Sequence, residues 1–283
     1  LALALISIAL SACASLQTAD RSLYRTVEMV SEKDRVTGVR MPSYRDREAQ
    51  IRQSKKEVRS IISHLKDRGL PYNRDLDAKA FDRVREIADR ILAVSHLADE
   101  KGRWQVFLLP GDQVNAFALP GGKIGVYTGL LKVAVNQDQL ATVIGHEIAH
   151  VIADHSNERL SQTQLANTGL SITSVALGAS EYAQYQGMTM AALGLGVQYG
   201  VILPYGRTQE SEADIVGLRY MADAGFDPNQ SVNLWQNMAK ASGGNQPPEL
   251  LSTHPSHNTR IQDLRATITT LPQSNAQRPS CKI

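Results

Sequence analysis

Cysteine is nearly absent from this chain, with only Cys13 and Cys281 among 283 residues. Two such distant residues make no disulfide framework and no cysteine-based zinc pattern, so neither kind of staple is expected to hold the fold. Aromatic residues are 5% of the chain, the net charge is +2, and no basic stripe interleaves with aromatics. That balance gives no electrostatic footprint for nucleic acid. Long apolar runs are also missing. Leu1 to Leu10 is almost wholly apolar but too short to cross a bilayer. Residues 160–206 carry one charge, Glu181, yet their Gln, Ser, Thr and Gly keep them only moderately apolar. A pair of small-residue helices or a mobile flap packed beside the active site is expected there, rather than two membrane spans. No internal repeat is present.

What is there is long enough, and at 42% hydrophobic apolar enough, for one large domain with an extension. The apolar start reads as a signal-peptide core, residues 1–12, whose true beginning lies upstream of Leu1. Leu10-Ser11-Ala12-Cys13 resembles a bacterial lipobox. That resemblance implies cleavage before Cys13, its diacylation, and an anchor on the extracytoplasmic side of a membrane. Ala14 and Ser15, in place of an aspartate, favour the outer membrane. Residues 13–44 read as the lipidated cysteine and a polar, irregular tether, and 273–283 as a disordered tail holding an unpaired Cys281.

The domain between them is expected over residues 45–272. Dense charge with apolar residues at helical spacing predicts amphipathic helices from Arg45 to Leu65 and from Leu76 to Glu100. Trp104 to Leu109 predicts a strand, and the segments flanking Pro120-Gly121-Gly122 predict a hairpin. An exposed edge of such a sheet can hold an extended peptide by main-chain hydrogen bonds. Further helices are expected from Arg207 to Ala224, from Asn229 to Ala241 and from Ile261 to Thr269.

The most informative segment is His146-Glu147-Ile148-Ala149-His150, an HExxH pattern. Asn136 followed by Gln139 resembles a capping box that starts a helix through Leu140, Val143, Ile144, Ile148, Val151 and Ile152. These apolar residues cover most of the circumference, which predicts a buried helix. Histidines four apart on it lie about 40° apart around the axis and about 6 Å along it, within reach of one metal ion. Glu147 faces close to the same side, where a carboxylate can take a proton from water at the metal. Two buried imidazoles and an acid would be costly without such a partner.

A catalytic zinc needs a third protein ligand and an open position. His155 lies about 180° round the same helix from His146, and reaches the ion only if the helix breaks first. The metzincin spelling fails, because the position ten after His146 is Ser156. The acids of Glu210-Ser211-Glu212-Ala213-Asp214 are the better source. Glu210 and Asp214 share a helix face, which suits one ligand and one acceptor that orients an imidazole. Spacing alone leaves Glu210, Glu212 and Asp214 all open.

Taken together, Asn115-Ala116-Phe117-Ala118-Leu119-Pro120-Gly121-Gly122, the HExxH with a further histidine five on, Glu210 to Asp214, Thr253-His254-Pro255 and Arg260-Ile261 resemble one family. It is the HtpX and CAAX-prenyl-protease type of zinc metallopeptidase, metallopeptidase family 48. The likeness is to its soluble bacterial lipoprotein branch, related to periplasmic quality-control peptidases and mitochondrial OMA-type enzymes, and covers roughly residues 75–270. It implies an α+β, mainly helical, zincin-like (gluzincin) domain with a small sheet beside the HExxH helix. It also implies one Zn2+ per chain on His146, His150 and Glu210, Glu147 as catalytic base, Asp214 as support, and His254 near the metal as catalytic aid or latch. The implied function is an envelope metalloendopeptidase degrading unfolded or misassembled proteins, outer-membrane ones among them, in a quality-control role. The competing expectation is a latent or non-proteolytic lipoprotein chaperone using the same cleft.

Overall fold

In a computed structural model of the chain, the described residues are 31–33, 40–42, 47–98, 103–198, 202–241, 250, 254 and 260–272. The signal core, Cys13 and the tail with Cys281 lie outside them. The expected tether contains two short antiparallel strands, β1 (Ser31–Lys33) and β2 (Arg40–Pro42), paired from Ser31↔Pro42 to Lys33↔Arg40. This corrects the reading of 13–44 as wholly irregular: strands of three residues are too short to show an alternation of apolar and polar side chains.

Two charged helices follow, α1 (Arg47–Asp67) and α2 (Arg74–Val94). In α2 the apolar stripe Phe81, Val84, Ile87 and Ile91 is buried. The regular helix begins just after Asp77, which has an extended φ of −158° and accepts the Ala80 N–H at 2.9 Å.

Next come β3 (Gln105–Leu109), β4 (Ala116–Leu119) and β5 (Lys123–Tyr127), in the sheet order β3-β5-β4. Strand β5 runs parallel to β3 and antiparallel to β4, so β4 is an edge. Its hairpin turn has Gly121 and Gly122 at φ +80° and +75°, as the Pro-Gly-Gly spelling predicts. One face of the sheet buries Leu108, Ala116, Ile124 and Val126 in the core. A single turn, α3 (Thr128–Leu131), leads to α4 (Gln137–Ile152).

Helix α4 is the axis of the domain. The Asn136 side chain accepts the Gln139 N–H at 2.8 Å, and the Gln139 side chain returns to the Val135 N–H at 3.0 Å. This is the predicted capping box, shifted by one residue on its return arm. The helix is buried on nearly every face and packs against α2, β4 and two later helices, α7 (Leu203–Asp223) and α8 (Gln230–Ala241). The last helix, α9 (Arg260–Thr270), packs on α7 and α8.

Between α4 and α7 the uncharged segment forms α5 (His155–Gly178), a 3-10 turn (Ala183–Tyr185) and α6 (Gln186–Val197). Two helices were expected, but packed beside the site. Only the first turns of α5 are buried, at His155, Asn157, Glu158 and Ser161, while Ile172, Val175, Met188 and Leu195 are exposed. Among the described residues no helix is long and apolar enough to cross a membrane.

Candidate metal centre

Helix α4 delivers His146 and His150 one turn apart, with ring centroids 4.6 Å apart. Helix α7 crosses it closely enough to bring Glu210 onto both. A Cβ on Gly217 of α7 would lie 2.8 Å from the His146 nitrogen, so the crossing needs glycine. His254 arrives from the segment before α9. Its N–H donates to the Leu250 carbonyl at 2.9 Å, and its carbonyl accepts from Arg260 Nη1 at 3.3 Å.

One ligand atom from each of His146, His150, Glu210 and His254 lies within 4.8 Å of all the others. The two Nε2 atoms of the HExxH pair are 3.0 Å apart. Glu210 Oε2 is 3.3 Å from His146 Nε2, and Glu210 Oε1 is 3.4 Å from His150 Nε2. His254 Nδ1 is 3.1 Å from both Glu210 oxygens and 3.3 Å from His146 Nε2. A tetrahedral ion with bonds of roughly 2.1 Å separates its donors by about 3.4 Å. The separations among His146, His150 and Glu210, 3.0 to 3.4 Å, come close to such an edge, and nitrogen and oxygen donors suit a first-row divalent metal. With all four donors engaged the site is closed; with three it keeps one position free.

Each histidine of the pair is held from behind. His146 Nδ1 meets Asp214 Oδ1 at 2.9 Å, and Arg260 Nη2 donates to the same oxygen at 2.6 Å. The Arg260 guanidinium is itself buried, 3.6 Å over the Trp235 ring. His150 Nδ1 instead meets His155 Nδ1 at 2.7 Å. The helix does break before His155, at Asp154 with φ +54°, and this turns the ring back onto α4. His155 therefore sits behind His150 and outside the ligand cluster, and its Nε2 meets Glu212 Oε2 at 3.2 Å.

Glu147 is buried beside the cluster. Its Oε2 accepts the Ala118 N–H of edge strand β4 at 3.1 Å. Its Oε1 lies 3.3 Å from His254 Nε2 without hydrogen-bond alignment. The anticipated residues His146, Glu147, His150, Glu210, Asp214 and His254 thus come together, while Cys13 lies outside the described residues. Sequence reasoning missed His155 and Glu212 as partners, the Arg260 anchor and the Ala118 N–H. His155, Ala118 and Arg260 stood in the motifs that carry the family resemblance, and Glu212 beside Glu210, but their spacing alone assigned them no partner.

Groups of both signs meet within the cluster. Burial opposes a charge on His146, but the Asp214 and Glu210 carboxylates outweigh it and hold its pKa up at about 9. Burial dominates for His150 and pushes it well below the ordinary histidine value despite Glu210. Burial also opposes ionisation of Glu210 and Asp214. The three imidazoles nonetheless hold the Glu210 carboxyl far below its usual range, and Arg260 with His146 depresses Asp214.

Comparison with known proteins matches residues 78–268 to the model of Peptidase family M48. The mitochondrial metalloendopeptidase OMA1 of Schizosaccharomyces pombe is 32% identical over 228 residues, which cover 80% of this chain and 62% of that protein. The metalloendopeptidase OMA1 of Bos taurus is 35% identical over 186 residues, 63% of this chain and 34% of the relative. The beta-barrel assembly-enhancing protease of Escherichia coli strain K12 is 33% identical over 177 residues, 61% of this chain and 36% of the relative. The chain thus spans about one third to three fifths of the length of the curated relatives it matches.

Proposed function

This chain belongs to peptidase family M48, and on that footing we propose that it is a zinc-dependent endopeptidase whose base is Glu147. The observation that carries the reading is the donor cluster at tetrahedral spacing with a buried carboxylate beside it. The nitrogen-rich, tetrahedral set favours zinc over harder cations. His146, His150 and Glu210 would hold the ion. When bound, it supplies Lewis acidity that polarises a scissile carbonyl and makes water easier to deprotonate.

The residues around it divide the remaining work. Ala118 N–H fixes one Glu147 oxygen, which leaves Oε1 to take the proton of the attacking water and pass it to the leaving nitrogen. Strand β4 is an edge next to that carboxylate, and an extended peptide can add to it through main-chain hydrogen bonds. His254 sits where a fourth donor would, which supports a resting state latched by its imidazole. Displaced, the same ring could donate a hydrogen bond to the oxyanion of the tetrahedral intermediate.

The proposed substrates are unfolded or misassembled polypeptides of a bacterial envelope. Support comes from the lipobox-like Cys13 and from likeness to a beta-barrel assembly-enhancing protease. On this reading the chain is anchored by lipid, faces the periplasm from the outer membrane, and has outer-membrane proteins among its clients. A latch of this kind would favour one second reading, a holdase or assembly factor that binds the same clients without cutting them. Casein offered to the chain stripped by chelator and then reloaded with one equivalent of zinc tests the choice. Cleavage that disappears and returns with the ion supports the peptidase; binding of casein without cleavage in either state supports the holdase.

A further inference from the structure

Where His146 Nδ1 meets the Asp214 carboxylate, His150 Nδ1 meets a second imidazole, that of His155. Three features build that arrangement. Asp154 adopts the left-handed conformation at φ +54°, which few non-glycine residues do, and its carboxylate accepts from Asn157 Nδ2 at 3.0 Å. This turn ends α4 and folds His155 back, leaving it only 1% exposed. Gln209 of α7 then pins the start of α5, donating to the His155 carbonyl at 3.2 Å and to Glu158 Oε2 at 2.9 Å.

The proton positions follow from the partners. A carboxylate only accepts, so His155 Nε2, 3.2 Å from Glu212 Oε2, carries a hydrogen. With that single hydrogen on the ring, the lone pair lies at Nδ1. The contact of 2.7 Å to His150 Nδ1 requires a donor, which must be the His150 Nδ1–H. His150 is left with its lone pair on Nε2, the atom facing Glu210 and His146. With one hydrogen on each ring, the two imidazoles satisfy the contacts to Glu212 and to each other.

We infer that Glu212 and His155 form a positioning relay that locks His150 in its Nδ1–H tautomer and aims its Nε2 at the metal. The inference rests on the metal-site reading above. The relay also has an electrostatic reason. Glu147, Glu210 and Asp214 already bring three buried carboxyl groups to the site. A fourth placed directly on His150 would add like charge there. Setting Glu212 one imidazole further out leaves its side chain 24% exposed, so the orienting acceptor acts from closer to solvent.

The test uses the full chain. Nitrogen-15 NMR of the metal-free protein reads the His150 tautomer, and chelator competition reads zinc affinity. The relay predicts a protonated Nδ1 on His150. It further predicts about 10–100-fold weaker zinc binding for His155→Phe, with much of the loss restored in His155→Asn, whose Oδ1 can replace the Nδ1 acceptor. Glu212→Ala, at a partly exposed position, provides the variant least able to disturb folding. It should weaken zinc by about 10-fold and mix the His155 and His150 tautomers. Equal zinc affinity in all variants, equal losses in Phe and Asn, or an Nε2-protonated His150 would each overturn the relay. A parent chain that binds no zinc while showing the predicted tautomer would instead overturn the metal site, so the two failures are distinguishable.

Discussion

Gly145 and Gly217 meet backbone to backbone where α4 crosses α7, with the position of a Cβ on Gly145 only 3.0 Å from the Gly217 carbonyl oxygen. The next residue on α4 is His146, and Asp214 lies less than one turn before Gly217. Close approach of two helices is thus what puts the HExxH histidines within reach of the acids.

Gly217→Ala should therefore strain the site as well as the core. Its Cβ would press on the His146 nitrogen at 2.8 Å and the Gly145 carbonyl carbon at 2.9 Å, both rigid backbone. Overpacking of this kind costs about 1–3 kcal/mol. Urea denaturation should show that loss, with weaker metal binding alongside; unchanged values in both would show that the crossing is slack.

Arg260→Ala should be more damaging. The side chain is 2% exposed and neutralises buried Asp214 at 2.6 Å. Removing one partner of a buried pair costs about 3–5 kcal/mol, because the other is left uncompensated. Thermal unfolding of Arg260→Ala beside Asp214→Asn with Arg260→Ala would check this, since removing both charges should recover part of the loss.

Metal affinity should rise with pH. The His146 pKa is raised from 6.5 to about 9, so its proton stabilises the metal-free fold fully below 6.5, and that contribution is lost as pH rises through about 9. The ion needs the same Nε2 without its proton. Apparent affinity should climb about tenfold per pH unit toward 9 and level off above it. Chelator competition at several pH values would measure the slope, and a flat profile would contradict the raised pKa.

His254→Ala should open the fourth position. Zinc should remain on three ligands, bound less tightly, and cleavage of casein should increase if the imidazole holds the site closed. A fall in turnover with zinc retained would assign His254 to catalysis instead.

The parts of this molecule that sequence could reveal are those fixed over short range. The Asn136 cap, the apolar circumference of α4 and the turn at Gly121 and Gly122 depend on neighbours within a few residues. Glu210, Glu212 and Asp214 could not be separated by spacing, because which acid meets which imidazole depends on how α7 crosses α4. In the structure, Glu210 reaches the cluster, Asp214 reaches His146, and Glu212 turns to His155. His155 stays outside the ligand cluster, but its place behind His150 depends on where the helix breaks. The break falls at Asp154, a residue that carries no strong signal for the left-handed conformation. The α5 and α6 pair was legible as helices but not as an exposed pair, since a stretch with so little charge reads as buried.

On the proposed reading, Glu147 moves the proton in a zinc-dependent cleavage. The most direct measurement is the rate of casein hydrolysis per bound zinc, for the parent and for Glu147→Gln at equal zinc content. The account predicts that the variant keeps its zinc and loses activity by a factor on the order of 100 to 10,000. Equal rates per zinc in the two proteins would contradict it.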